Sequence, residues 1–121
     1  MDTPIHVNTS LIPCKKRRVF FTVDKQPVYP AGERALHALF EKNIKFSVEQ
    51  GCSQCDFRIY YTIETDGTPV FKKFIGSFLT VKDYELIEIQ LIEIFKQMAV
   101  WQPGKCKGEN VPVAMSEVIY Y

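Results

Sequence analysis

The chain has no apolar run near the roughly 20 residues that a membrane-spanning helix requires. It also has no excess of charge of either sign, since 15 basic and 14 acidic residues leave a formal charge of +1 over 121 positions. The first absence excludes a helical span, and the second removes the electrostatic footprint expected of a nucleic-acid binder. Histidine is scarce, with only His6 and His37. No Ser/His/Asp or Cys/His constellation for nucleophilic chemistry is apparent, and no glycine-rich phosphate loop. Asp66 belongs to a turn. Glu85 and Glu88 are neighbours on one helical segment, where a solvated face explains them without a catalytic cleft. The expectation is a protein that is not an enzyme, with no cofactor and no metal.

Residues 1–13 lack both a basic n-region and a continuous apolar stretch, so no signal peptide is visible. Leu11-Ile12-Pro13-Cys14 has the outline of a lipoprotein cleavage box, but no apolar segment leads into it. A cytoplasmic protein, and one that begins after its targeting segment, both stay open on these residues.

What is present describes one small globular domain: 46% hydrophobic and 24% charged residues. The basic run Lys15-Lys16-Arg17-Arg18 is the one local charge excess and reads as a solvated edge. Of the four cysteines, Cys52-Ser-Gln-Cys55 has C-x-x-C spacing, whereas Cys14 and Cys106 stand alone. A structural zinc site would offer a second close pair of Cys or His ligands, and a redox motif would open a helix. This pair does neither, because a strand follows it. A disulfide or a pair of inert thiols is the expectation for Cys52 and Cys55, with metal binding the weaker third reading.

Periodicity supplies the elements. Residues 1–18 mix polar residues and prolines and read as a loose arm. Val19-Phe20-Phe21-Thr22-Val23 is a short β-rich run. Leu36, Leu39, Phe40 and Ile44 follow helical spacing after Pro30, which suits a helix start. From Asp56 the period becomes two: Phe57, Ile59, Tyr61 and Ile63 alternate with Arg58, Tyr60, Thr62 and Glu64. Asp66-Gly67 is a hairpin signal, and residues 70–75 are the partner strand. Thr80 or Asp83 caps a second helix to about Met98, with Tyr84, Ile87, Leu91, Ile94, Phe95 and Met98 as its core stripe. Pro103-Gly104 and Lys107-Gly108 are turns, and residues 111–121 form a last strand.

The tail Trp101-Gln-Pro103-Gly104-Lys105-Cys-Lys-Gly108-Glu-Asn-Val111-Pro-Val113 resembles the ending of the TonB carboxy-terminal domain. The resemblance covers roughly residues 19–121. Pro27-Val-Tyr29-Pro30-Ala31-Gly32-Glu33-Arg-Ala35-Leu36 is similar to the start of that family's first helix, Asn43-Ile44-Lys45-Phe46 to its exit, and Ile63-Glu-Thr-Asp66-Gly67 to its first hairpin. The chain departs from the family at Ala31 in place of a glycine, at Ser47 in place of a proline, and at Leu91 in place of a small alanine. The membrane helix and Pro-rich spacer of the full-length transducer are also missing.

The resemblance implies an α+β fold, a three-stranded antiparallel sheet with two helices on one face. An N-terminal arm over residues 1–18, with a short extra strand, precedes the domain proper at residues 19–121. It further implies a periplasmic interaction domain whose last strand is a sheet edge. In the family that edge takes the N-terminal box of an outer-membrane receptor by strand addition. Carried over by position, the contact residues are Val111, Val113, Ala114, Met115, Ser116, Glu117 and Val118. A homodimer through the same edge is a second occupant. The alternative function is a stand-alone scaffold or regulatory domain of the same fold, uncoupled from transport.

Overall fold

The computed structural model describes residues 14–16, 19–46, 56–77 and 79–120. Its strands are β1 (Lys15–Lys16), β2 (Phe20–Thr22), β3 (Asp56–Ile63), β4 (Pro69–Ser77), β5 (Gly104–Cys106), β6 (Glu109–Val111) and β7 (Val113–Tyr120), and its helices α1 (Glu33–Asn43) and α2 (Val81–Gln97).

Alternation dictates β3. Phe57, Ile59, Tyr61 and Ile63 are all buried beneath the helices, while Arg58 and Tyr60 turn to the other face. The hairpin to β4 turns through Asp66 and Gly67. The Asp66 carboxylate accepts from the Thr68 N–H at 2.9 Å, which holds its pKa below the usual carboxylate range. Gly67 sits at φ +89°, and a side chain there would collide with the Trp101 carbonyl. The turn thereby docks on the segment after α2, where the Trp101 N–H donates to the Gly67 carbonyl at 2.9 Å.

Thr80 caps α2, its hydroxyl accepting from the Asp83 N–H at 3.0 Å. The helix buries Ile87, Leu91, Ile94 and Phe95, and α1 buries Leu36 and Phe40. Both helices cover the same face of the sheet. Phe40, Phe95, Tyr61 and Trp101 form a chain of ring contacts with centroids 5.2–5.8 Å apart. Trp101 is a core residue, as its place between helix and strand suggests.

The sheet is larger than expected and mixed. β7 lies beside β3, antiparallel, but the full order is β1-β2-β7-β3-β4. The extra strands come from residues 15–22: β2 runs parallel to β7, and β1 pairs antiparallel with β2. β5 and β6 form a separate two-stranded hairpin, closed by Lys107 and Gly108 at φ +54° and +83°, the conformation of a tight hairpin turn. The three-stranded antiparallel sheet is thus corrected to a mixed one with a satellite hairpin. The short extra strand expected in the arm is β1, and the β-rich run at Val19–Val23 supplies β2, but neither run is long enough to show which strand it joins.

Candidate partner-binding strand

β7 carries six of the seven residues expected to bind a partner. Its register against β3 places Val113 opposite Ile63, Ala114 opposite Thr62, Met115 opposite Tyr61, Ser116 opposite Tyr60, Glu117 opposite Ile59 and Val118 opposite Arg58. Val111 belongs instead to β6, where it pairs with Gly104. Val113 is buried and bordered on its other side by Phe20 of β2, whose N–H donates to the Pro112 carbonyl at 2.9 Å.

β7 is therefore not an edge along its whole length. β2 covers its start, with Phe20 opposite Val113 the single register pair between them. Along residues 115–120, no strand among the described residues pairs with β7 on the side away from β3. Of the expected contact residues, Met115, Ser116, Glu117 and Val118 lie on this open stretch, whereas Val111 and Val113 are already engaged. The opposite rim of the sheet, β4, is guarded differently. It carries exposed Lys72 and Lys73 and a bulge opposite Tyr60 and Tyr61. The Tyr84 hydroxyl donates to the Phe74 carbonyl at 2.9 Å. Lysines and bulges are the usual devices against unwanted pairing.

The open stretch has chemically different sides. Toward the helices, Glu117 accepts from the Tyr61 hydroxyl at 3.0 Å through Oε2 and meets Nε2 of His37 at 2.8 Å through Oε1. The His37 and Glu117 side chains are 38% and 13% exposed. Burial, and then the Glu117 charge, push the Tyr61 phenol far above its ordinary pKa, so it stays a donor. A cleft of about 150 Å³ adjoins this cluster, walled by Tyr29, Leu36, Trp101, Met115 and Glu117. Away from the helices, Arg58 donates to the Ser116 hydroxyl at 3.2 Å, and the Lys73 ammonium lies 5.2 Å from the centre of the Tyr60 ring. Arg58 and Tyr60, which alternate with the buried residues of β3, lie on this face, whereas Thr62, expected to share it with them, is buried. A wider concavity of about 650 Å³ lies between α1 and α2, walled in part by Leu39, Ile89, Ile94 and Met98.

Two features had no signal in the sequence. His37 and Glu117 are 80 positions apart, and only the packing of α1 over β7 joins them. Cys14 and Cys106, solitary in the sequence, form a disulfide with Cα atoms 6.0 Å apart. Cys52 and Cys55 lie outside the described residues. Among those residues, no group of three His, Cys, Asp or Glu side chains gathers within metal-binding reach, and no helix is long and apolar enough to cross a membrane. No family model, curated protein or solved structure matches the chain.

Proposed function

We propose that this domain binds an extended peptide by strand addition along residues 115–120 of β7. The role is that of the TonB carboxy-terminal domain it resembles in sequence, a periplasmic partner of outer-membrane receptors in transport. The observation that carries the reading is the outer side of β7, along which no strand among the described residues pairs with residues 115–120, on a sheet whose other rim is protected. Unpaired main-chain N–H and C=O groups in a row are a template for another strand. The Cys14–Cys106 bond supports the compartment, because disulfides persist where the surroundings are oxidising.

Magnitudes set the expected affinity. Alternate residues of the stretch turn both main-chain groups outward, and each net hydrogen bond contributes about 1 kcal/mol. Ordering the peptide offsets part of that gain. A Kd between about 1 mM and tens of µM follows.

The test is calorimetric titration with synthetic peptides spanning receptor N-terminal boxes from the same genome, each also prepared with alternate backbone nitrogens methylated. Strand addition predicts binding that methylation abolishes and that single alanine replacements weaken modestly. Equal binding of methylated and plain peptides would rule it out. Concentration-dependent dimerisation with no peptide binding would favour the stand-alone scaffold, since an open strand can also pair with its copy.

A further inference from the structure

We propose that the Cys14–Cys106 disulfide is a redox-operated clasp that sets how much of β7 is open. Cys14 and Lys25 are both fixed at neighbouring positions of β5. Cys14 is bonded to Cys106, and Lys25 pairs with Lys105 through main-chain bonds of 3.1 and 2.8 Å in the two directions. Between these two anchors in the chain come β1 and β2. Among the described residues, β1 pairs only with β2, and β2 meets the sheet at Phe20 opposite Val113.

The disulfide holds β2 at high effective concentration beside β7. Without it, the arm swings from a hinge that survives by itself. Lys25 stays paired with Lys105, and the Asp24 carboxylate still accepts from the Lys107 N–H at 2.9 Å. Val23 is buried just before the hinge, so the freed portion comprises β1 and β2.

Both cysteines are partly exposed and within reach of a dithiol reductant. One reductant thiolate attacks a sulfur of the bond and forms a mixed disulfide. The second thiol of the reductant resolves it. Cys14 and Cys106 end as thiols, the dithiol ends as a disulfide, and two electrons have passed. Release of β2 extends the open edge from residues 115–120 to the whole of Val113–Tyr120. The effect on binding rests on the strand-addition reading, whereas release of the arm does not.

Amide hydrogen exchange of the oxidised protein, the protein reduced with tris(2-carboxyethyl)phosphine, and the Cys14→Ser variant tests it. Phe20 is the reporter, because its N–H is bonded to Pro112. The clasp predicts exchange at Phe20 at least tenfold faster in the reduced and variant forms, with Ile59 and Tyr61 still protected. It also predicts at least threefold tighter binding of any box peptide that binds the oxidised form. Unchanged exchange at Phe20 would overturn the clasp, as would loss of protection throughout the core. Faster Phe20 exchange with unchanged peptide affinity would overturn its control of the edge. If no peptide binds in either state, the strand-addition reading fails, and the Phe20 result still decides whether the arm is released.

Discussion

Tyr61 carries a hydroxyl into the core, and that hydroxyl gives the domain a pH signature. Burial and the Glu117 carboxylate raise its folded pKa far above the unfolded value of 10.0. A raised folded pKa contributes stability that is fully present below the unfolded pKa. Above about pH 10 the unfolded chain loses this proton while the folded one keeps it, so stability falls with pH. The slope is at most about 1.4 kcal/mol per pH unit. Denaturant melts between pH 8 and 11 should show that decline in the native chain and a shallower one in Tyr61→Phe. At neutral pH, Tyr61→Phe should cost about 1 kcal/mol, because Glu117 keeps its contact with His37. Gly67→Ala is expected to cost more than about 1 kcal/mol in the same melts. It places a side chain at positive φ and against the Trp101 carbonyl, and both α2 and the hairpin depend on that junction.

Among the elements, the N-terminal strands are the least self-sufficient. The disulfide that ties them down closes a loop spanning 92 positions, so Cys106→Ser should lower stability by about 2–5 kcal/mol in urea melts. A domain of ordinary stability tolerates that loss, and the far-ultraviolet circular dichroism should change little at 25 °C. These strands also mark the limit of what the residues reveal by themselves. β3 and its hairpin were legible because Phe57 to Ile63 alternate and Asp66-Gly67 has one favoured use. α2 was legible because Ile87, Leu91, Ile94, Phe95 and Met98 of its stripe are buried and Thr80 caps it, although Tyr84, expected in the stripe, is exposed. The pairing of Phe20 with Val113, the bridges from Lys25 and Val28 to Lys105 and Gln102, and the Cys14–Cys106 bond are contacts between distant segments that no local pattern encodes. For the same reason the sequence does not show where pairing on the outer side of the last strand stops, since Val111 pairs with Gly104 of β5 and Val113 with Phe20 of β2. The Cys52–Cys55 pair lies beyond the described residues, so the bond that is seen is the one spacing did not suggest.

At the scale of the whole molecule, two helices shield one face of a mixed sheet, β4 is guarded by lysines and a bulge, and β7 is covered at its start by a tethered arm. The stretch that no strand pairs with among the described residues on the side away from β3 is 115–120, flanked by Glu117 and His37 on one side and Arg58 and Ser116 on the other. The most direct measurement is a site-resolved amide NMR titration of the oxidised domain with receptor box peptides up to millimolar concentration, followed by hydrogen exchange of the saturated complex. Strand addition predicts shifts concentrated on residues 115–120, new protection at alternate amides there, and small changes on α2. Shifts confined to the concavity between α1 and α2, or no shifts anywhere at millimolar peptide, would contradict it.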